Sequence, residues 1–224
     1  MSTAPNRLIF DIEIARPIPI ENGQPQWRRA KECGVSVFGA WGVNDIAPTV
    51  LLFDWTRLPG ARPTITFASE RFRKADGAAS WNGIEFDEPV LRADPATQRC
   101  LGSIGGRHVD LMALCCLGSK GVDLTRPDVV DMASGWAKLA PDRNSLFKGW
   151  RLDAVAKETL GVGKAEDMAG ADAPVFWQNG RYSEVITYCL RDVAVTRLLY
   201  LHAWNEGWLA SPERGRVEIP QEAL

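Results

Sequence analysis

The sequence lacks the features that are typical of membrane proteins, of secreted proteins and of zinc-binding sites. No apolar run is long enough to span a bilayer, and the N-terminal residues MSTAPNR do not have the charged-then-apolar pattern of a signal peptide. The five cysteines form no C-x-x-C pair, and there are only two histidines, which argues against a zinc site. These absences predict a cytoplasmic protein with reduced, mostly buried thiols and no membrane partner.

The charge balance also lacks the basic excess that is typical of nucleic-acid-binding domains. The 26 lysines and arginines are matched by 28 aspartates and glutamates, so the formal net charge is -2. However, a protein that grips only the end of a strand needs few phosphate contacts, and a cation bound to an acidic cluster adds positive charge that the count omits. The composition therefore leaves a nucleic-acid substrate open.

The length and composition are those of one medium-sized globular domain. The chain has 224 residues, of which 46% are hydrophobic and 24% charged. Strand-like segments come first and helical segments are interleaved later, with no internal repeat or clear linker, which predicts a single α/β domain over residues 1–224 with a mixed central sheet flanked by helices. Residues 14–33 are interpreted as a long loop insertion, and residues 119–148 as an irregular stretch and a candidate lid.

Local patterns predict the order of the elements. After a first strand, GVSVFGAWGV and APTVLLFDW predict two more strands of a meander, and residues 66–75 a helix that leads into a strand in GAASWNG. A helix begins near Asp87, and HVDLMALCCLG runs from strand into helix. The last predicted helices are RLDAVAKETLG, which Gly161 ends, and a long one over residues 183–204.

The first strand, LIFDIEI at residues 8–14, is apolar but carries two carboxylates. Because side chains alternate along a strand, Asp11 and Glu13 share one face at a separation of roughly 6 to 7 Å. Like charges this close resist desolvation unless a positive charge lies beside them, and a divalent cation is the obvious candidate. The alternative is a frayed strand edge at which both acids meet solvent.

Two later acids also lie in apolar surroundings. Asp87 follows Phe86 at a strand-to-helix junction, behind an Asn82-Gly83 turn, where a helix N-cap is the alternative role. Asp192 lies four residues after Tyr188, and this spacing puts both on one helix face.

For Asp192 the alternative role is an ion pair with the neighbouring Arg191 or Arg197. Taken together, the four acids occur in the order D-x-E, then N-G-x-x-F-D, then Y-x-x-x-D.

In this order the motifs resemble the DEDD superfamily of 3′-to-5′ exonucleases on the ribonuclease H-like fold, which includes proofreading domains of DNA polymerases. The resemblance rests on FDIE at residues 10–13, NGIEFD at residues 82–87 and YCLRD at residues 188–192. It extends to HVDL at residues 108–111 and RLDAVA at residues 151–156, so it covers nearly the whole chain. Three motifs in order with sensible separations are a strong signal.

The superfamily divides by whether a histidine stands five residues before the last aspartate or a tyrosine four before it. Here residue 187 is threonine and residue 188 is tyrosine, so the chain is similar to the tyrosine branch and to stand-alone or family B polymerase-type exonucleases. It departs from the family in Ser80 and Trp81, which precede Asn82 where an aromatic or apolar pair is more usual.

The resemblance implies two Mg²⁺ or Mn²⁺ ions, which as hard cations prefer oxygen ligands. It implies that Asp11 bridges both ions, that Glu13 and Asp192 complete the nucleophile-side site, and that Asp87 supports the second ion directly or through water. Tyr188, whose phenol is a poor base at pH 7, would orient the attacking water.

The resemblance also names candidates for contact with the substrate. Asn82 is a candidate hydrogen-bond partner of the strand end, and Phe86 or Trp81 a candidate for stacking on the terminal base. The alternative for these three is a turn former and two core aromatics. Asp110 and Asp153 are interpreted as structural.

The implied activity is metal-dependent hydrolysis of phosphodiesters from the 3′ end of single-stranded or frayed nucleic acid, with DNA favoured over RNA and nucleoside 5′-monophosphates released by a two-metal mechanism. A polymerase, helicase or repair partner is not specified. The alternatives are a catalytically silent nucleic-acid or protein-binding domain on the same fold, and a glycosidase. The silent domain is disfavoured because all four acids and the tyrosine are present, and the glycosidase because it needs only two acids.

Overall fold

The computed structural model describes residues 3–53, 74–93, 97–98, 107–126, 148–163 and 168–224. The strands in these ranges are β1 (Arg7–Ile14), β2 (Ile20–Glu21), β3 (Gln24–Pro25), β4 (Val35–Gly42), β5 (Thr49–Leu52), β6 (Gly77–Ser80), β7 (Arg107–Asp110), β8 (Trp208–Ser211) and β9 (Gly215–Glu218). The α-helices are α1 (Asp87–Ala93), α2 (Leu111–Gly118), α3 (Leu152–Leu160), α4 (Ala173–Gln178) and α5 (Tyr182–Glu206). Short 3₁₀ helices span Trp27–Glu32, Gly170–Asp172 and Gln221–Ala223.

The central sheet has the strand order β5-β4-β1-β6-β7 within the described ranges. β4 pairs antiparallel with β1 and with β5, whereas β6 lies parallel to β1 and to β7. β1, β4 and β5 are thus the predicted meander, and the mixed sheet confirms the predicted α/β class. Because β4 pairs with β1 along Asp11 and Glu13, the two acids do not lie on a frayed end of the strand.

Alternation along β1 separates two hydrophobic cores. The even-numbered side chains of β1 pack into a core that Val90 and Leu91 of α1 also enter. Ile9 packs into a second core, together with residues of α2, α3 and α5. Asp11 and Glu13 lie on the same side of the strand as Ile9, so they face the helix layer that contains α5.

Helix α5 packs closely against the sheet at a glycine of β4, Gly39. An ideal Cβ on Gly39 would lie 2.9 Å from Cys189 Sγ and 3.1 Å from Val193 Cγ2, so a side chain there would have to displace the helix or its side chains. Since Gly39 is the register partner of Asp11, this close approach brings α5 next to the acidic strand. The helix ends at Gly207, which adopts the left-handed conformation with φ of 77°.

Most of the predicted elements are confirmed, with small changes of boundary. Helix α3 ends at the left-handed Gly161, as predicted, and α5 extends the predicted range of 183–204 by one residue at its start and two at its end. The hairpin of β8 and β9 was not predicted, because strands of four residues show too little alternation to be recognised.

The segment 14–33 is irregular only in part. It contains the hairpin of β2 and β3 and a 3₁₀ helix, and the hairpin turn is made by Asn22 and Gly23, with φ of 52° and 74°. Asn-Gly is the common sequence signal for a two-residue hairpin turn, so this element was recognisable.

Other expectations fall largely outside the described ranges. These are the helix expected over residues 66–75, of which 66–73 lie outside, and the candidate lid over 119–148, of which 127–147 lie outside. None of the helices in the described ranges combines the length and the apolarity that crossing a bilayer requires.

Candidate metal centre

The two acids of β1 lie beyond the point at which this strand is paired on both sides. β6 pairs with β1 only from Arg7 to Ile9, whereas β4 continues to pair past Glu13. Glu13 is buried with 6% of its surface exposed, and Asp11 is half-buried. Beyond the carboxyl end of the parallel pair, β6 therefore no longer pairs with β1, and the segment that follows β6 can approach the two acids on that side.

Helix α5 supplies the next polar groups. The ligand atoms of Asp11, Glu13 and Cys189 all lie within 4.8 Å of one another. The Cys189 thiol donates to the main-chain carbonyl of Asp11 over 3.5 Å. Asp192 follows one helical turn after Cys189 and is buried on the same helix, so its carboxylate belongs to the same side of the sheet.

Asp87 approaches from the segment that follows β6. Asn82, with φ of 65°, makes a tight turn, and α1 begins at Asp87, five residues later. Gly83 is required in this turn, because an ideal Cβ there would collide with Ser80 Oγ and lie 3.1 Å from Asp87 Oδ2. The Asp87 side chain is almost completely buried, with 3% of the residue exposed.

The electrostatics show that these acids converge. Burial raises the pKa of Asp87 well above its usual range, and the charges of Asp11, Asp110 and Asp192 raise it further. Burial also raises the pKa of Cys189, with added contributions from Asp11, Glu13 and Asp192. Acids from β1, from the start of α1 and from α5 thus act on one another in a single region.

This arrangement fits a divalent cation. Asp87 Oδ2 is buried and has no hydrogen-bond partner among the described residues, although a buried carboxylate oxygen without a partner is costly. A cation beside it would compensate that cost. Since most of the nearby ligand atoms are carboxylate oxygens, they suit a hard ion of the Mg²⁺ or Mn²⁺ type.

Tyr188 lies on α5 one turn before Asp192, as predicted. Its ring is half-buried, and its hydroxyl lies beside the 3₁₀ segment Gly170–Asp172, since an ideal Cβ on Gly170 would be 3.2 Å from the phenol oxygen. The hydroxyl is therefore placed between α5 and the chain that leads into α4.

The three candidate substrate contacts differ in their surroundings. The indole of Trp81 donates to the carbonyl of Trp150 over 3.2 Å and packs against the core beside α5, which favours its structural alternative. Phe86 is half-buried against the core that α1 covers. Asn82 keeps a buried side-chain oxygen with no hydrogen-bond partner in the described part of the chain.

Sequence reasoning missed one residue of the region, Cys189, and assigned a second, Asp110, a structural role that its contacts support. The Cys189 thiol lies within 4.8 Å of ligand atoms of Asp11 and Glu13, and its position three residues before Asp192, on the same helix face, was the available signal. Asp110, interpreted as structural, is fully buried and accepts from the backbone amides of Asn82, Ile84 and Ala113 at 3.0 to 3.1 Å. It therefore ties the turn before Asp87 to the start of α2.

The remaining residues that the sequence singled out have surface or backbone roles. Asp153 forms an exposed ion pair with Arg151 at 3.0 Å. Arg197 donates to the carbonyls of Gly42 and Val43 and lies over the ring of Trp41, so its guanidinium is directed at β4 and the loop after it.

Comparison with known proteins agrees with this architecture. The family model described as the RNase_H superfamily matches residues 37–204, three quarters of the chain. The chain belongs to the RNase H superfamily. This membership supports a nucleic-acid-cleaving enzyme in general, and the acidic cluster agrees with the use of a divalent metal. None of the curated proteins matches this RNase H superfamily member.

A solved structure shows the same fold in a much larger protein. The family B DNA polymerase from the hyperthermophilic archaeon Pyrobaculum calidifontis superposes with a TM-score of 0.54 at 16% sequence identity, over 90% of this chain and 25% of the polymerase. At this identity the similarity shows the fold alone. This RNase H superfamily chain corresponds to about a quarter of the polymerase's length.

Proposed function

We propose that the protein is a metal-dependent 3′-to-5′ exonuclease. Its substrate is the 3′ end of single-stranded or frayed nucleic acid, with DNA favoured over RNA, and its products are nucleoside 5′-monophosphates. The observation that carries the proposal is the convergence of four acids on one region. There Asp87 is buried, one of its oxygens has no hydrogen-bond partner among the described residues, and the charges of Asp11 and Asp192 raise its pKa. The similarity in fold to a DNA polymerase supports nucleic acid, and DNA in particular, as the substrate.

Each acid has a proposed role as a ligand. Asp11 would contact two divalent ions, Glu13 and Asp192 one of them, and Asp87 the other. When bound, such ions activate water at neutral pH and stabilise the charge that develops on the departing oxygen. Because Asp11 and Glu13 lie on the middle strand of the sheet, in the part that pairs with β4, the backbone that carries both carboxylates is held by the sheet.

The other residues orient the reactants. The Tyr188 hydroxyl is proposed to orient the attacking water, since a phenol with a pKa near 10 is largely protonated at pH 7 and donates a hydrogen bond. Asn82 is a candidate hydrogen-bond partner of the terminal sugar, because its half-buried side chain lies in the turn that precedes Asp87. Phe86 is the candidate for contact with the terminal base.

The proposal is tested with 5′-labelled oligonucleotides in Mn²⁺, in Mg²⁺ and in a chelator. We expect stepwise shortening of a single strand with a free 3′ hydroxyl, and slower shortening of a blunt duplex, because opening a duplex end costs a few kcal/mol. A 3′-blocked strand and the chelator should each stop the reaction. Undiminished degradation in the chelator would contradict the proposal.

Matched variants distinguish activity of this protein from that of a contaminating nuclease. Asp11→Ala and Asp192→Ala each remove a proposed ligand and should abolish shortening. Asp153→Ala makes the same chemical change in an exposed ion pair and should retain full activity. Binding of the oligonucleotide by the wild type without any shortening would indicate a silent nucleic-acid-binding domain instead.

A further inference from the structure

A chain of hydrogen bonds links three side chains beside Asp87. Ser80 Oγ, at the end of β6, lies 2.8 Å from His108 Nε2 on β7. His108 Nδ1 lies 3.2 Å from Glu88 Oε2 on α1. Glu88 directly follows Asp87 in the sequence, so this series of hydrogen bonds ends at the residue next to the proposed ligand.

Two hydrogen bonds from backbone amides join the ends of this hydrogen-bonded series, so that it forms a ring. The amide of Gly83 donates to Ser80 Oγ over 3.2 Å, and the amide of Glu88 donates to the carbonyl of Gly83 over 2.7 Å. The ring therefore runs from Ser80 through His108 and Glu88 to Gly83 and back. It encloses the turn that delivers Asp87 to the other acids.

The hydrogen-bond directions are mutually consistent. An ionised Glu88 only accepts, so His108 Nδ1 donates to it, and in the neutral imidazole Nε2 then accepts from the Ser80 hydroxyl. The same Ser80 oxygen uses a lone pair to accept from Gly83. The pKa of Glu88 is lowered to about 2, first by the hydrogen bond with His108 and also by Arg92, while burial acts in the opposite direction.

The order serine, histidine and glutamate is that of a nucleophilic triad, but the geometry assigns a different role. Ser80 is completely buried, with 0% of the residue exposed, so no substrate can reach its oxygen. That oxygen also accepts from a backbone amide, which a nucleophile in its reactive state would not need. The three residues are therefore not a second hydrolase site.

We propose that Ser80, His108 and Glu88 are positioning residues that fix the Asp87 carboxylate for metal binding. The step from ring to ligand passes through Gly83. An ideal Cβ on Gly83 would lie 3.1 Å from Asp87 Oδ2, so this carboxylate rests directly on the glycine whose amide and carbonyl the ring holds. Outer residues of this kind commonly change metal affinity or activity by about 10- to 100-fold when they are replaced.

The pairing of Ser80 with His108 is a property of this fold and not of either segment alone. In the parallel pair of β6 and β7, Ala78 is the register partner of His108 and Ser80 that of Asp110, which places Ser80 and His108 as diagonal neighbours on one face. Phe10 packs against the other side of His108, with ring centroids 5.2 Å apart, and keeps the imidazole in place.

The test compares matched serine variants by calorimetric titration with Mn²⁺. Ser80→Ala and Ser211→Ala make the same change at buried positions. Within the described residues, the Ser211 hydroxyl bonds the carbonyl of Gly149 and the amide of Glu213, which do not belong to the ring around Asp87. We expect Ser80→Ala to weaken Mn²⁺ binding by about 10- to 100-fold and Ser211→Ala to leave it within about twofold of the wild type. Thermal unfolding of both variants shows whether each is folded.

A second pair of variants tests the acceptor at Glu88, which is partly exposed and therefore tolerant of change. Glu88→Gln keeps an oxygen that can accept from His108, whereas Glu88→Ala does not. Glu88→Gln should bind Mn²⁺ within about threefold of the wild type, and Glu88→Ala should resemble Ser80→Ala. A purely structural role predicts instead that all four folded variants bind Mn²⁺ as the wild type does, and this result would overturn the proposal.

The proposal rests on the proposed function, and the two fail in distinguishable ways. Wild-type protein that binds Mn²⁺ but does not shorten oligonucleotides would contradict the exonuclease, and the Mn²⁺ titrations would still decide the positioning role. Where activity is present, Ser80→Ala should raise the Mn²⁺ concentration for half-maximal rate and leave the KM for the oligonucleotide nearly unchanged. A raised KM with unchanged dependence on Mn²⁺ would overturn the positioning role.

Discussion

At the scale of single residues, Asp87 and Asp110 are two buried aspartates with opposite surroundings. Asp110 accepts from three backbone amides, so its burial is compensated by hydrogen bonds. Asp87 faces other acids, and one of its oxygens has no partner in the described part of the chain. Such uncompensated burial is typical of functional sites, where stability is lost for the sake of activity.

Asp87→Asn should therefore stabilise the metal-free protein at neutral pH, because it removes a charge that its neighbours repel. For a chain of this size, a gain of about 1 kcal/mol raises Tm by ~2–4 °C. Thermal unfolding in a chelator at pH 7.5 measures the change. Asp110→Asn is the matched control and should lower Tm, since an amide cannot accept from all three backbone amides through one oxygen. A lower Tm for Asp87→Asn would show that the carboxylate is compensated by another group.

Tyr188 tests a role that depends on one hydroxyl. Tyr188→Phe keeps the ring and all four acids, so Mn²⁺ binding should be retained. If the hydroxyl orients the attacking water, kcat should fall by roughly 10- to 1,000-fold with little change in KM. Steady-state kinetics on a labelled single strand measures both constants. A kcat within about twofold of the wild type would instead indicate that Tyr188 only packs against the segment at Gly170.

At the scale of elements, the site depends on the contact between β4 and α5. The glycine at position 39 lets the helix approach the strand next to Asp11, and the same helix carries Cys189 and Asp192. Helix position and ligand position are therefore coupled through one residue without a side chain. A glycine is therefore required at position 39 for the packing of α5 on β4.

Gly39→Ala should push α5 outward, because the new methyl group would lie 2.9 Å from Cys189 Sγ. Overpacking of this kind costs about 1–3 kcal/mol, and we expect weaker Mn²⁺ binding together with a lower Tm. Calorimetry and thermal unfolding measure the two effects. Gly163→Ala is the control, because an ideal Cβ there has no atom of the described residues within 4 Å. The double variant Gly39→Ala with Cys189→Ala removes the clashing sulfur and should recover part of the stability; a further loss would contradict the packing explanation.

At the scale of the whole molecule, metal binding, stability and pH are linked through the raised pKa of Asp87. A group whose pKa is raised by folding stabilises the native state below its unfolded pKa of about 3.8, and this contribution is lost as the pH rises through the folded value. As the pH rises and Asp87 ionises, the metal-free protein thus becomes less stable, and over the same pH range the carboxylate becomes able to bind a cation. Glu88 acts in the opposite sense: its pKa is lowered from 4.5 to about 2, so its contribution is present above pH 4.5 and is lost as the pH falls towards 2.

The increase in Tm caused by saturating Mn²⁺ should therefore grow as the pH is raised from 5 to 8. Protons compete with the cation for Asp87 at the lower pH, and the metal relieves the repulsion among the acids at the higher pH. Thermal unfolding with Mn²⁺ and with a chelator, at each pH, gives the difference. In Asp87→Asn this difference should become smaller and nearly independent of pH. An equally steep dependence in that variant would assign the linkage to another group.

Local chemistry determined much of this protein. Alternation in β1 predicted that Asp11 and Glu13 share a face, and the four-residue spacing predicted that Tyr188 and Asp192 lie one turn apart on a helix. Both follow from the periods of strand and helix, which need no knowledge of the rest of the chain. The order of the motifs, with the resemblance it carries, was enough for the fold class.

What only the tertiary structure decided are the contacts between segments that are distant in sequence. Cys189 came to lie among the acids because Gly39 lets α5 approach β4, and Ser80 met His108 because β6 and β7 pair in one particular register. Strand register and helix approach depend on packing against several neighbours at once, so no single segment encodes them. For the same reason the burial of Asp87, which favours its predicted role as a metal ligand over the alternative of a helix cap, became visible only when the sheet and both helices were assembled.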